Sequence, residues 1–389
     1  MKRAFVILIG CLTVPLMALE IRIHPGQKEL YLYEVDARRG ISTAMIQNLA
    51  VVNGAEEPAV RLSQLRIELR TGDRVRQSVV FSSEELATAG ARMASLQKAG
   101  VLDLLEFAFQ RKQYLGEKTT LAESETVGAD SALMLIAIPL LVPRGVDSVN
   151  IEVSGSTAEG NVSASTRVPV TFYAQKNDYQ FPMNGNWVVV VGPGLSEPHR
   201  WALNEEFALD IVRIGSSGRT CGGKCAGMSD YYAWGHDVLA AADGVVVSTV
   251  TNQKENPERL RQPGEASEVF MERTQMAQMQ LLAGGTPAVA GNLVVIRHEG
   301  GEYSHYSHLA EGSVVVKPGE KVSRGQKIGK LGGSGNSTEP HLHFGVSDGP
   351  DPLYARSLPI RISGLTTVDG AQPPAYVQSG WIVDAKAGN

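Results

Sequence analysis

Runs in which apolar and polar residues alternate with a period of two constrain this chain more than any other feature. Leu65, Ile67 and Leu69 alternate with Arg66, Glu68 and Arg70, while Val149, Ile151 and Val153 alternate with Asn150 and Glu152. Val168, Val170 and Phe172 repeat the rhythm. Side chains two apart on a strand share a face, so each run presents one apolar surface that must be covered by another sheet. From about Glu20 to Tyr173 the expectation is therefore a half-exposed antiparallel β-sandwich of immunoglobulin-like type, spanning residues 19–175. One helix interrupts it. Ser82 with Glu85 forms a capping box, and Leu86, Ala89, Met93 and Leu96 fall on one helical face before Gly100. This region carries no recognisable catalytic signature, and its single histidine, His24 beside Pro25, reads as a solvated turn residue.

Lys176 to Trp187 is polar and aromatic and reads as a linker into a second domain, residues 176–389, which holds seven of the eight histidines. Within it, residues 251–290 separate two apolar strands, Gly244 to Val250 and Asn292 to Ile296, and form an insertion. Val269, Met276, Met279 and Ala283 lie on one helical face there, and packing of that face onto the domain is expected.

Ala4 to Leu19, behind Lys2 and Arg3, is too short to span a bilayer comfortably and reads as an export signal over residues 1–18. Leu8-Ile9-Gly10-Cys11 also has the look of a lipoprotein processing site, the lesser alternative to simple cleavage. Export to the periplasm or the medium leaves Cys221 and Cys225, with three residues between them in a Gly-rich loop, free to form a disulfide. No second Cys or His pair stands at the close spacing a structural zinc site needs. The formal charge of −5, without a basic run, argues against a nucleic-acid partner.

His341-Leu342-His343 lies in a strand pattern that puts both imidazoles on one surface. Tyr306-Ser307-His308-Leu309 precedes it. Upstream stand His199 and Phe207-Ala208-Leu209-Asp210-Ile211, where a carboxylate interrupts an apolar strand and needs a cation or strong donors if it is buried. Together with Ala241-Ala242-Asp243-Gly244-Val245-Val246, Gly291 to Ile296, Val316 to Gln326 and Gly335 to Phe344, these segments resemble the lysostaphin-type (LytM-like) zinc endopeptidases of bacterial cell walls. The resemblance implies an antiparallel-β domain of the duplicated-hybrid-motif (barrel-sandwich) kind and an exported Zn2+-dependent peptidoglycan hydrolase acting on wall peptides. It makes His199, Asp210 and His343 the metal ligands, His341 the general base, and His308 the group that stabilises the oxyanion or assists proton transfer.

The family's commonest first motif places the ligand Asp four residues after the His, whereas His199 and Asp210 are eleven apart, as in the family's longer His-Arg form. His236 beside Asp237 is the rival ligand, in what reads as a turn. His305, three before His308, points away from it and is expected at the surface or behind the ligands. His298-Glu299-Gly300-Gly301-Glu302 lacks the second His of a helical zinc motif, and its Gly pair suits a hairpin turn. Gly329 to Gly335 lacks the Gly-Lys-Ser/Thr ending of a phosphate loop, there is no Gly-x-Ser-x-Gly elbow, and no Met-Lys pair marks a biotinyl or lipoyl carrier hairpin. The alternative from another class is a catalytically idle module of the same fold that regulates other wall hydrolases; the complete ligand set favours the enzyme. Three roles stand open for the first domain: positioning the enzyme, binding a regulatory protein partner, or covering the groove until needed.

Overall fold

The alternating runs fold into long strands in a computed structural model that describes residues 19–24, 26–367 and 375–386. The export segment and Cys11 lie outside the described residues, among which no helix is long and apolar enough to cross a membrane. The architecture is mainly β. Ile41–Asn53 and Ser131–Pro143 pair antiparallel at the centre of one sheet; Val60–Thr71, Arg74–Ser82, Ser148–Thr157 and Gly160–Thr171 make most of another. The two sheets share one core, in which Leu62, Leu65, Ile67, Val149 and Ile151 meet Ile46, Leu49, Leu133 and Leu135. Not every pairing is antiparallel. Two short edge pairs, Leu30–Tyr31 with Gly160–Thr171 and Thr120–Leu121 with Ser131–Pro143, run parallel.

The expected helix spans Ser83–Lys98, and both halves of its capping box are made: Ser82 Oγ accepts from Glu85 N at 3.3 Å, and Ser82 N donates to Glu85 Oε2 at 2.8 Å. Met93 and the short helices that follow cover the outer face of the first sheet, where Leu102 and Phe109 pack on Ala50, Val52, Ala132 and Met134. His24 is not a solvated turn residue. It is buried, with its Nδ1 accepting from Gly26 N at 3.1 Å, because Gly26 stands against Leu203 of the second half of the chain.

Strands from Gly185 onward build a nine-stranded antiparallel sheet in the order Lys321–Val322, Gly244–Val250, Asn292–Arg297, Tyr303–Leu309, Leu342–Ser347, Leu209–Val212, Gly185–Val191, Ile382–Ala385, Leu365–Thr367. A second small sheet, Asp237–Leu239 with Lys327–Lys330, closes over the same core of Val189, Ile211, Val238, Ile296, Tyr306, Ile328 and Phe344. Glu299–Gly301 turns the hairpin between two strands of the large sheet.

The segment between Val250 and Asn292 leaves the large sheet as an excursion holding a helix, Ser267–Leu282, none of whose residues is fully buried. Its apolar side does not pack on the domain: Val269 is 55% exposed and Met276 61%. Arg273 dictates the rotation, since its guanidinium pairs with Glu265 at 2.9 Å and donates to the carbonyls of Glu258 and Leu260. The face that carries Phe270, Arg273, Thr274 and Ala277 is therefore the half-buried one.

Candidate active site

Sheet register brings the central residues together. Asp210 and His343 are cross-strand neighbours, and Ser307 lies opposite His343 on the other side, so side chains from three adjacent strands converge. His343 Nδ1 approaches Asp210 Oδ1 at 3.0 Å, and His341, just before the strand, brings Nε2 to 3.6 Å from the same oxygen. The third member comes from a loop. Pro198 opens a single 3-10 turn, Pro198–Trp201, which points His199 Nε2 at Asp210 Oδ2 across 3.3 Å. One donor atom from each of His199, Asp210 and His343 lies within 4.8 Å of the others, which makes this trio a candidate metal site.

Hydrogen bonds orient the rings. A carbonyl oxygen can only accept, so a ring nitrogen facing one carries the proton and the other nitrogen presents a lone pair. His199 Nδ1 meets Ala208 O at 3.3 Å, His308 Nδ1 meets Ser334 O at 2.8 Å, and His341 Nδ1 meets Glu339 O at 2.8 Å. All three thereby offer Nε2. His308 and His341 stand ring to ring at 4.7 Å beside the trio. His308 has φ = 63°, a left-handed backbone that aims its ring into the cleft at the end of its strand. The cleft around these groups is walled by Pro198, Trp201, Asn204 and Glu205 on one side and by Thr274, Gln278 and Asn336 on another.

Electrostatics follow from the packing. Burial drives the His199 imidazolium down, but the Asp210 charge and hydrogen bond outweigh it and lift the group to about 10. Burial likewise pushes the Asp210 carboxyl up, and the charges of His199 and His341 more than reverse that, holding it well below the carboxylate range. His308 is held neutral, mainly by burial and then by His341 and His343. The metal-free centre thus pairs the Asp210 carboxylate with a protonated His199, whose proton a cation would replace.

The remaining histidines stand elsewhere. His236 faces Arg213, its Nε2 2.7 Å from the guanidinium, with its ring edge on Trp187, and is not part of the trio. His305 is not at the surface; it is buried behind His343, paired with the Ser347 hydroxyl, and burial pushes it down to about 3. His298 bridges Asp243 O and Ser304 Oγ. Cys221 and Cys225 are joined as a disulfide, packed with Met228, Tyr231 and Leu260 rather than on the cleft wall. Their loop still reaches the site, because Thr220 Oγ1 donates to Glu339 Oε2 at 2.7 Å and the Glu339 carbonyl orients His341. Thr274 and Gln278 escaped sequence reasoning; their signal was a polar i,i+4 pair on the side of the helix opposite Val269 and Met276.

Residues 274–354, which include His308, His341 and His343, match the profile of peptidase family M23. The chain carries an M23 peptidase domain. The M23 match leaves His199 and Asp210 outside it. Peptidoglycan DD-endopeptidase ShyA of Vibrio cholerae is 51% identical over 55 residues, 14% of this chain and 12% of that protein. The cell division protein DipM of Caulobacter vibrioides is 37% identical over 68 residues, 18% of this chain and 11% of that protein. The chain thus spans about an eighth or less of the length of these relatives. Among solved structures, a zinc-containing peptidase from Vibrio cholerae aligns over 84% of this chain and 83% of its own at 14% identity, with a TM-score of 0.25.

Proposed function

We propose that the chain is an exported zinc-dependent endopeptidase that hydrolyses peptide bonds of bacterial peptidoglycan. The observation that carries this reading is the convergence of His199, Asp210 and His343 within 4.8 Å, beside two further imidazoles, on an M23 domain. The donor set fits zinc: two imidazoles and a carboxylate leave a fourth position open, and the His199 ring is already oriented by a backbone carbonyl. When bound, zinc polarises a scissile carbonyl and lowers the pKa of a water toward neutrality. His341, with Nδ1 committed to Glu339 O, offers Nε2 as proton acceptor for the attacking water and then returns the proton to the leaving amine. His308, held neutral and directed by Ser334 O, presents its Nε2 beside His341 and serves as the second acceptor through which the water proton passes to the leaving amine.

Export is supported by the apolar segment Ala4 to Leu19 and by the Cys221–Cys225 disulfide. Residues 19–175 serve as an accessory domain able to receive a regulatory protein partner, and residues 176–389 as the peptidase domain with 251–290 inserted. The test is incubation of the zinc-loaded full chain with purified wall sacculi, followed by mass analysis of soluble fragments. Release of stem peptides with new termini, abolished by a chelator and restored by zinc, is the expected outcome. Intact sacculi with the zinc-loaded chain would remove the hydrolase and favour the idle regulatory module.

A further inference from the structure

We propose that Gln47 in the first half of the chain is a positioning residue for His199, so that the metal-holding geometry exists only while the two halves stay docked. The inference rests on the reading of His199 as a zinc ligand. The turn Pro198–Trp201 is only four residues long, and a single 3-10 turn has little stability of its own. Its faces alternate. His199 and Trp201 line the cleft, while Arg200 between them points the other way and is 1% exposed.

Both halves of the chain meet at Arg200. Gln47 Nε2 donates to Arg200 O at 2.9 Å. Gln47 sits where the long Ile41–Asn53 strand changes its inward face, between Ile46 and Leu49, opposite Ala137 with φ = 50°. There its own N–H is taken by Gln27 Oε1 at 2.8 Å, and Gln27 Nε2 donates to Met45 O. An irregularity in the sheet thus frees the amide of Gln47 to serve the turn. Phe109 meets Trp201 with ring centroids 6.1 Å apart. The Arg200 guanidinium lies 3.3 Å from the buried Glu206 carboxylate and over the Phe207 ring at 5.1 Å, tying the turn to the segment that runs into Asp210.

Loss of the Gln47 bond leaves a buried carbonyl without its donor and a short turn without its lateral support. His199 Nε2 then samples positions away from Asp210, and the site loses affinity for metal although none of its ligands has changed.

The test uses the full chain, with zinc affinity measured by competition with a chromophoric chelator and hydrogen exchange measured across residues 197–203 in metal-free protein. Gln47→Met removes the donor at similar volume; Val149→Ala, in the core of the first half away from the turn, controls for lost stability. About tenfold weaker zinc binding and faster exchange are expected for Gln47→Met, with wild-type values for Val149→Ala even if its melting temperature falls as far. If Gln47→Met does not fold, Phe109→Leu loosens the same turn from the Trp201 side and should change both readouts in the same direction. Wild-type zinc affinity in the turn variant, or equal zinc loss in the control, overturns the proposal. A wild-type chain that binds no zinc instead overturns the ligand reading, and exchange across 197–203 that is unchanged in Gln47→Met overturns the positioning role by itself.

Discussion

Asp210 is the residue on which the site turns, since three imidazoles from two segments approach one carboxylate and only two of them belong to the candidate metal set. If His343 is a ligand and His341 handles protons, His343→Ala should lose both zinc and hydrolysis. His341→Ala should keep most of its zinc and lose about a hundredfold or more in turnover. Metal analysis paired with sacculus digestion checks this, and equal zinc loss in both variants would reverse the assignment. The proton on His199 supplies a second prediction. Its pKa is raised to about 10 in the metal-free fold, so the ion pair with Asp210 stabilises that fold fully below about pH 6.5 and ceases to do so as pH rises through 10. Zinc must displace this proton, so its affinity should climb with pH between 6.5 and 10, with about one proton released per metal in calorimetry across buffers of different ionisation enthalpy. A flat profile would detach His199 from the metal. His341 and His343 were legible because a period of two puts them together on any strand. The neutral state of His308 and the direction of its ring were not, because both depend on a left-handed backbone and on a carbonyl from a loop 26 residues away.

At the scale of elements, the loop that holds His308 depends on a close crossing of two backbones. Gly335 has φ = 72°, and a Cβ there would lie 2.4 Å from Gly291 N and 2.5 Å from Val289 O; Gly291, with φ = 66°, faces Ser334 just as tightly. Gly335→Ala should therefore push the 334–336 loop off the end of the insertion, move Ser334 O, and release the His308 ring. A fall in turnover of at least tenfold with zinc retained is expected, read by metal analysis alongside sacculus digestion, because the ligand trio sits on other segments. Unchanged turnover would show that the orientation of His308 does not depend on this crossing. The insertion itself was visible as an interruption between two apolar strands, yet its rotation was misjudged. A methionine stripe at helical spacing predicts burial only when nothing stronger sets the helix, and here Arg273 with Glu265 turns the methionines outward. The Ser82 and Glu85 box, by contrast, is a local device whose partners are three residues apart, which is why it could be read directly.

For the whole molecule, the decisive contacts are those between the two halves, and no periodicity announces them. Tyr33 OH donates to Val377 O, Arg356 caps the Tyr31 ring at 3.8 Å and donates to Glu29 O, and Glu302 gathers Tyr173 from the end of the first half and Asn177 and Tyr179 from the linker onto the hairpin turn. His24 belongs to this set and was misread for that reason: a His beside a Pro looks like a turn until another part of the chain covers it. Burial, opposed by a backbone hydrogen bond and aided by the Arg356 charge, lowers His24 to about 4, and burial lowers His305 to about 3. Groups depressed in the folded state favour it fully above their unfolded pKa of about 6.5 and withdraw that support as pH falls. The chain should accordingly lose stability between pH 6.5 and 4, with extra protons taken up on unfolding by His24, His305 and the neutral His308. For His24 alone the difference is on the order of 3 kcal/mol. Denaturant midpoints recorded from pH 7 to 4 check this, and His24→Gln, which cannot titrate, should flatten the curve by about one proton. A variant with the same acid slope as the wild type would mean that His24 is solvated in solution and that the contact of Gly26 with Leu203, and with it this side of the docking between the halves, opens.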